Sequence, residues 1–331
     1  MSRRRLSERQ LARIRTVRER HQQRVALNQV SSAAALEDSV PQMGRVVVRH
    51  GANLAVANPE GKIVHCVCRQ HIGYPVCGDQ VMWQALDAKR GVIVELKPRT
   101  SMLSRPDATG RDKPLAANLD LLVVVIAPEP APTGYLLDQY LVFAELNQLP
   151  AMILCNKMDL LTAEEQQRWL DALAHYQKIG YSLLAISTRE ETQVKQLAAQ
   201  LPGTSLLVGQ SGVGKSSLAA ALLPDQAIQV GQLSKATGLG RHTTSATTAY
   251  RLPNGGYLID SPGVRSFRLG ALSRQELERG FREFAAYQGQ CRFNDCRHQQ
   301  EPDCALQAAV QSGAIAHERL MSFHQLVGVN P

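Results

Sequence analysis

The stretch that most constrains the fold is "GQSGVGKS" at residues 209–216, which matches the pattern G-x-x-x-x-G-K-[ST]. An apolar segment, "SLLV", precedes it, and a helical pattern, "SSLAAALL", follows it. A glycine-rich turn between a buried strand and a helix lets backbone N–H groups surround phosphate oxygens, aided by the positive end of the helix. The chain is therefore expected to contain a parallel α/β layer that presents this turn at the carboxyl end of a strand.

Within this phosphate loop, Gly209 and Gly214 permit the tight turn. Lys215 is placed to reach the β- and γ-phosphates, and the Ser216 hydroxyl is placed to hold Mg²⁺. Nucleotide contacts are expected along the whole loop, at Gly209, Gln210, Ser211, Gly212, Val213, Gly214, Lys215, Ser216 and Ser217. The loop predicts nucleoside triphosphate hydrolysis without saying which base is bound.

A second motif, "DSPG" at residues 260–263, ends an apolar strand downstream of the phosphate loop. Asp260 is placed to hold the Mg²⁺, mostly through water, and the Gly263 amide is placed to sense the γ-phosphate. Alone the motif could be a simple turn, but its position after a phosphate loop favours the functional interpretation.

The segment between them, "SKATGLGRHTTSATTAY" (234–250), is polar and lacks helical periodicity. We interpret it as a loop that places a threonine hydroxyl on Mg²⁺. Thr243 and Thr244 are both candidates, and the sequence does not decide between them. A plain surface loop is the alternative.

The base is indicated by "CNKMDL" (155–160), in which Asn156, Lys157, Met158 and Asp159 form an N-K-x-D motif. An Asp159 carboxylate can accept hydrogen bonds from N1–H and the 2-amino group of guanine. Adenine offers neither donor and would leave the carboxylate desolvated and unpaired, so an ATPase is disfavoured. Lys157 can lay its methylene stem against the base, Asn156 can tie the motif to neighbouring backbone, and Ser187 is expected in a second loop beside the guanine.

The motifs occur in the order NKMD, Ser187, phosphate loop, threonine segment and DSPG. A standard GTPase begins with the phosphate loop and ends with N-K-x-D and the serine loop. Cutting between the DSPG strand and NKMD converts one order into the other. Circular permutation keeps spatial neighbours while moving the termini, so we predict a circularly permuted P-loop GTPase domain.

The remaining strands group into two regions of different rhythm. Residues 44–99 hold five short segments rich in β-branched residues, separated by turn signals, which predict a small barrel with the OB-fold as leading candidate. From about residue 118, apolar segments alternate with helical patterns, as in a parallel α/β sheet. The predicted strands of this sheet lie in 119–127, 151–156, 181–187, 204–209 and 257–263.

The formal net charge of +8 is concentrated at the N-terminus, where residues 1–24 carry nine arginines and two glutamates. Such an arm suits a polyanion, usually nucleic acid, although a solvated helix or a tail without specific function is the alternative. No run of apolar residues is long enough for a membrane span and no secretory signal is recognisable, so we expect a cytoplasmic protein without membrane contact.

Close to the C-terminus, "CRFNDCRHQQEPDC" (291–304) has the spacing C-x₄-C-x-H-x₅-C. Three thiolates and one imidazole make a closed tetrahedral set, which points to one structural Zn²⁺ per chain. The expected ligands are Cys291, Cys296, His298 and Cys304. Because all four come from one short segment, the metal is expected to organise the local fold.

Together, "NKMD", "GQSGVGKSSL", "GLGRHTT", "DSPGV" and the cysteine–histidine segment resemble the RsgA family of circularly permuted GTPases that act on the small ribosomal subunit. The resemblance covers nearly the whole chain. It implies a basic extension and linker (1–43), an OB-fold barrel (44–100), the permuted GTPase domain (101–268) and a helical zinc-binding domain (269–331).

The resemblance also implies GTP hydrolysis to GDP stimulated by the 30S subunit, contact with 16S rRNA and a late role in subunit assembly. We expect a monomer. Val264 occupies the position where many GTPases place a water-orienting glutamine, and the resemblance offers His242 as a substitute, with RNA contact as the alternative. The competing hypothesis is an RNA-binding assembly module that uses the nucleotide only as a structural switch.

Overall fold

The computed structural model describes residues 39–87, 89–106, 112–132, 134–223, 225, 247–260 and 272–329. Within these ranges the strands are β1 Gln42–His50, β2 Asn53–Ala57, β3 Ile63–Cys68, β4 Gln80–Ala85, β5 Arg90–Leu96, β6 Met102–Pro106, β7 Asp112–Ala117, β8 Leu121–Ile126, β9 Ala151–Cys155, β10 Ser182–Ala185, β11 Thr204–Val208, β12 Thr248–Arg251 and β13 Tyr257–Asp260. The helices are α1 Gly134–Leu146, α2 Ala163–Lys178, α3 Glu191–Gln200, α4 Lys215–Leu222, α5 Arg274–Arg279, α6 Ala305–Gln311 and α7 His317–Val329.

The first five strands close into a barrel in the order β1-β2-β3-β5-β4, with β4 returning to pair with β1. Only β3 and β5 run parallel, while the other pairs are antiparallel. This is the OB-fold arrangement that the sequence predicts. Trp83 and Ile93 lie in its interior with six smaller side chains, so the barrel has a core of its own. The first strand starts at Gln42, slightly before the expected limit at residue 44.

The nucleotide sheet, as we call β8 to β13, has the order β10-β9-β8-β11-β13-β12. All neighbours are parallel except β12, which runs antiparallel to β13. Every residue of β8 is buried, as expected for a strand covered on both faces. The strand before the phosphate loop, β11, is central, and its neighbour β8 comes much earlier in the chain. The order of the strands thus confirms the permuted α/β fold.

Three strands were not foreseen. Residues 234–250 were interpreted as a loop, which is wrong at the end of that segment because β12 begins at Thr248. The β6–β7 hairpin was also missed. It lies against the barrel, where Cys77 pairs with Ala116 and the Ala117 amide donates to the Cys77 carbonyl at 2.9 Å.

The barrel and the nucleotide sheet are continuous. Val48 of β1 pairs with Thr248 of β12, so both form one sheet of eleven strands. Beside this pair, Arg45 Nη1 donates to Thr204 Oγ1 at 2.6 Å and its guanidinium lies 5.0 Å from the ring centre of Tyr257. Arg251 of β12 also donates to the Glu60 carbonyl at 3.0 Å, so backbone pairing and two arginines contribute to joining the two regions.

Residues 272–329, the C-terminal domain, are mainly helical. Phe281 stacks on Phe284 at 4.8 Å between ring centres, and Phe323 meets both rings edge-on. Helix α5 begins with a capping box, in which Ser273 accepts from the Glu276 amide and Glu276 accepts from the Ser273 amide. None of the helices in the described ranges has the length and hydropathy that a bilayer span requires.

Candidate nucleotide site and metal centre

The phosphate loop connects β11 to α4, as the pattern predicts. Lys215 Nζ donates to the Gly209 carbonyl at 2.7 Å and to the Gln210 carbonyl at 2.6 Å, so the side chain curls back over the loop. Val213 is buried and anchors the loop. The remaining predicted contacts at the tip and on the first helical turn are exposed: Ser211, Gly212, Ser216 and Ser217.

The guanine motif lies directly beside this loop. Asn156 follows β9 and is fully buried, and its Nδ2 donates to the Val213 carbonyl at 2.9 Å. Gly214 adopts φ of 95°, and a Cβ there would lie 2.3 Å from Asn156 Nδ2. Glycine is thus required at this point both for its backbone conformation and for the close approach. The predicted contact of Asn156 with neighbouring backbone is therefore a hydrogen bond to the phosphate loop itself.

Asp159 has a prepared environment for an ionised carboxylate. The Ser187 hydroxyl donates to Asp159 Oδ1 at 2.6 Å, and Arg189 Nη1 lies 3.0 Å from Oδ2. The hydrogen bond from Ser187 is the largest reason why the pKa of Asp159 lies below its ordinary value, and the charge of Arg189 adds to it. At neutral pH the carboxylate can therefore act only as an acceptor, which suits the N–H groups of guanine.

The other residues of the motif are held by backbone contacts. Lys157 adopts the left-handed conformation with φ of 62°, and its Nζ donates to the Glu129 carbonyl at 3.0 Å. Met158 is buried, and its amide donates to the Ile186 carbonyl at 3.2 Å. Arg189 and Glu129 could not be foreseen from the sequence, because neither belongs to a spaced pattern.

The predicted magnesium ligands are only partly described. Ser216 lies on the first turn of α4, and Asp260 ends β13, the neighbour of β11. A hydroxyl and a carboxylate at the same edge of the sheet are oxygen donors, which Mg²⁺ prefers. His242, Thr243, Thr244 and Gly263 lie outside the described residues, so their predicted roles remain predictions.

The cysteine–histidine segment brings its four predicted ligands together. The donor atoms of Cys291, Cys296, His298 and Cys304 all lie within 4.8 Å of one another. The Sγ atoms of Cys291 and Cys304 are 3.9 Å apart, and His298 Nδ1 lies 3.3 Å from Cys304 Sγ. A tetrahedral zinc with bonds of about 2.3 Å to sulfur would separate two sulfurs by about 3.8 Å. The donor set and its spacing therefore fit zinc.

A carboxylate outside the predicted set supports this centre. His298 Nε2 lies 3.2 Å from Glu278 Oε1, so the ring can donate to Glu278 while Nδ1 faces the thiols. Such an outer carboxylate fixes the ring orientation and strengthens the imidazole as a ligand. Glu278 precedes the cluster on helix α5, and no spacing rule in the sequence could have identified it.

Comparisons with known proteins agree with this geometry. The family model described as RsgA GTPase matches residues 96–270. A protein of Marinobacter nauticus named "Small ribosomal subunit biogenesis GTPase RsgA" is 43% identical to this chain, covering 99% of it and 96% of the relative. A protein of the same name from Azotobacter vinelandii is 44% identical, covering 100% of this chain and 99% of its own length.

Solved structures agree as well. The crystal structure of YjeQ from Thermotoga maritima superimposes with a TM-score of 0.71 at 29% identity, covering 88% of this chain and 98% of that one. YloQ, described as a circularly permuted GTPase, gives a TM-score of 0.69 at 25% identity, covering 88% and 95%. With the motifs, the sheet order and these matches in agreement, the chain belongs to the RsgA GTPase family.

Proposed function

We propose that this chain is a GTPase that acts in the biogenesis of the small ribosomal subunit. The observation that carries the proposal is the hydrogen bond from Asn156 to Val213, which joins the guanine motif to the phosphate loop. One nucleotide can thereby be read at its base and held at its phosphates. The names of the full-length relatives supply the ribosomal subunit as the object of the activity.

Base selection rests on Asp159. Its carboxylate is ionised, and Ser187 fixes one oxygen while leaving lone pairs for the guanine N–H donors. Lys157 lies with its stem beside the base, and Asn156 holds the motif at a fixed distance from the phosphate loop. Adenine would leave the Asp159 carboxylate without its donors, so GTP is selected over ATP.

Hydrolysis uses positioning and charge more than covalent chemistry. Lys215 exchanges its two carbonyl acceptors for phosphate oxygens. Ser216, Asp260 and either Thr243 or Thr244 would hold Mg²⁺, which would supply positive charge at the phosphates. The Gly263 amide donates to the γ-phosphate, and His242 orients the attacking water. Without a glutamine after Gly263, unaided turnover is slow.

The partners follow from the relatives and from the charge distribution. The chain binds the 30S subunit as a monomer in the cytoplasm, contacting 16S rRNA, and the arginine-rich residues 1–24 supply a salt-sensitive part of that affinity. The zinc centre organises the C-terminal domain and takes no part in the chemistry.

The GTPase rate with and without purified 30S subunits, at low and high salt, tests the proposal. We expect strong stimulation that weakens as salt rises. Fast hydrolysis by the chain alone, unchanged by subunits, would contradict it. Lys215→Ala should abolish hydrolysis and impair subunit assembly; an assembly role that survives this loss would instead favour an RNA-binding module.

The metal is tested separately. Metal analysis of the purified chain should give about one zinc per molecule. Cys304→Ser should lower this content sharply, whereas Cys155→Ser, which changes a buried cysteine outside the cluster, should not. Another metal at the same stoichiometry would correct the identity of the ion.

A further inference from the structure

Helix α1 is buried between the nucleotide sheet and the C-terminal domain. Its sequence, "GYLLDQYLVFAEL", is apolar on almost every side, and the run 140–144 is buried without a break. A helix that is apolar all round is enclosed on all faces, unlike the amphipathic α2 on the surface. Any displacement of α1 must therefore move what packs against it on both sides.

One face of α1 contacts the phosphate loop. Leu137 and Tyr140 line a small cavity beneath the loop together with Gly209 and Val213. Tyr140 is buried, and the Gly209 backbone N–H donates to its hydroxyl. The Gly209 carbonyl in turn accepts from Lys215 Nζ at 2.7 Å. One residue, Gly209, thus links the Tyr140 hydroxyl to the lysine that is to bind phosphate.

The opposite face of α1 is locked to the C-terminal domain. Asp138 and Arg319 are both 1% exposed and form an ion pair of 2.5 Å. Glu283 accepts two hydrogen bonds from the same guanidinium, at 2.6 and 3.1 Å, and the Tyr176 hydroxyl donates to Asp138 at 2.7 Å. Buried charges are costly unless every partner stays in place, so moving α1 away from the C-terminal domain would carry a large energetic cost.

Two further contacts join α1 to the C-terminal domain farther along the helix. Gly280 lies so close to Val142 that a Cβ on it would be 2.5 Å from Val142 Cγ1. Glu145, near the end of α1, forms an ion pair with Arg282, whose guanidinium lies 3.8 Å from the ring centre of Tyr181. The residues 138, 142 and 145 lie on one face of the helix, and Tyr140 points the other way.

We propose that Tyr140 is a positioning residue for the phosphate loop, and that α1 couples the docking of the C-terminal domain at Arg319 to nucleotide affinity. The inference rests on the proposed GTPase function. Tyr140 holds the first glycine of the loop, and Arg319 holds the helix that carries Tyr140. A change in how the C-terminal domain docks is therefore passed to Gly209 and to Lys215.

Tyr140→Phe tests the proposed positioning role of Tyr140, because it removes only the hydroxyl. The buried Gly209 N–H then loses its acceptor, and GDP affinity should fall about fivefold. The matched control is Thr204→Val, which removes a buried hydroxyl that accepts from Arg45 Nη1 at 2.6 Å at the start of β11, away from both α1 and the phosphate loop. It should lower the melting temperature as much as Tyr140→Phe does without changing GDP affinity.

The proposed coupling through α1 is tested by a double-mutant cycle that combines Tyr140→Phe with Arg319→Met. The measured quantities are GDP affinity and the KM and kcat for GTP. Coupling requires that Arg319→Met weaken GDP binding less in the Tyr140→Phe background than in the wild type. Arg319→Lys, which keeps the charge, replaces Arg319→Met if the latter does not fold.

Additive effects on GDP affinity, or equal effects of Tyr140→Phe and Thr204→Val on that affinity, would overturn the inference while leaving the GTPase proposal intact. A wild-type chain that binds no guanine nucleotide would instead overturn the proposed function, and the inference with it.

Discussion

The nucleotide sheet is joined to its two neighbours in different ways. Towards the barrel, the joint is a backbone pair between Val48 and Thr248 with the half-buried Arg45 beside it. Towards the C-terminal domain, the joint is a set of buried charges centred on Arg319, which is 1% exposed. The first joint combines a backbone pair with arginine contacts and apolar packing, whereas the second centres on buried charges.

This difference has a physical consequence. A backbone ladder accepts many side chains, because its hydrogen bonds belong to the peptide groups. A buried ion network tolerates few changes, since each missing partner leaves a desolvated charge. We therefore expect substitutions at the C-terminal joint to cost more than comparable ones at the barrel joint, and the following predictions test that ranking.

The largest effect is expected from Arg319→Ala. Removing the guanidinium leaves the carboxylates of Asp138 and Glu283 buried without their cation, which should lower the free energy of unfolding by about 3–5 kcal/mol. Denaturant titration measures it. Arg282→Ala is the matched control, because its pair with Glu145 is partly exposed and should cost about 1 kcal/mol or less. Equal losses for the two variants would contradict the ranking.

A smaller loss is expected from Gly280→Ala at the same joint. The new Cβ would meet Val142 at 2.5 Å, and overpacking of this kind costs about 1–3 kcal/mol. Thermal unfolding of Gly280→Ala with and without Val142→Ala decides the cause. The second substitution makes room and should recover part of the loss; a further drop in the double variant would show that the contact is not the reason.

At the barrel joint, Arg45→Ala should cost about 1–2 kcal/mol, because a hydrogen bond to the buried Thr204 and a contact with the Tyr257 ring are lost while the backbone pair remains. Differential scanning calorimetry can measure this value. A decrease in the free energy of unfolding as large as that of Arg319→Ala would show that the two joints do not differ in sensitivity.

The smallest effect concerns pH. His175 lies near the network, and burial lowers the pKa of its imidazole, an effect that Asp138 opposes and Arg319 reinforces. As pH falls through the ordinary histidine value of about 6.5, the unfolded chain binds a proton that the folded chain resists, so stability decreases. His175→Asn should flatten the decline in melting temperature between about pH 7.5 and about pH 5.5. An unchanged slope would assign the decline to other groups.

Much of the fold could be predicted because the relevant signals are local. The five barrel strands follow β-branched segments between turn residues, and the apolar runs of β8 and β9 are typical of covered parallel strands. The β6–β7 hairpin could not be predicted because its strands contain Pro106 and Pro114 and do not alternate polar and apolar residues. Strand β12 could not be predicted because its first residue, Thr248, continues a polar, threonine-rich segment and no turn signal separates the two.

The sites show the same division. The phosphate loop, the guanine motif and the zinc ligands are each recognisable from spacing within a short segment. Arg319 and Asp138 are 181 positions apart, and Glu278 reaches His298 from helix α5. No pattern within a short segment of the sequence links residues that lie so far apart. The apolar sequence of α1 indicates burial, but it cannot say that a C-terminal arginine covers one face.

The pairing of β1 with β12 also bears on the exposed edges of the nucleotide sheet. A strand at the margin of a sheet offers unpaired N–H and C=O groups to any other extended chain, and β12 would be such a strand without the barrel. Closing β1 to β5 on themselves and pairing Val48 of β1 with Thr248 of β12 places the barrel at that margin, where an added strand would have to pair. The opposite margin is β10, which is only four residues long. The barrel thus shields the nucleotide sheet from intermolecular strand addition, quite apart from anything the barrel binds.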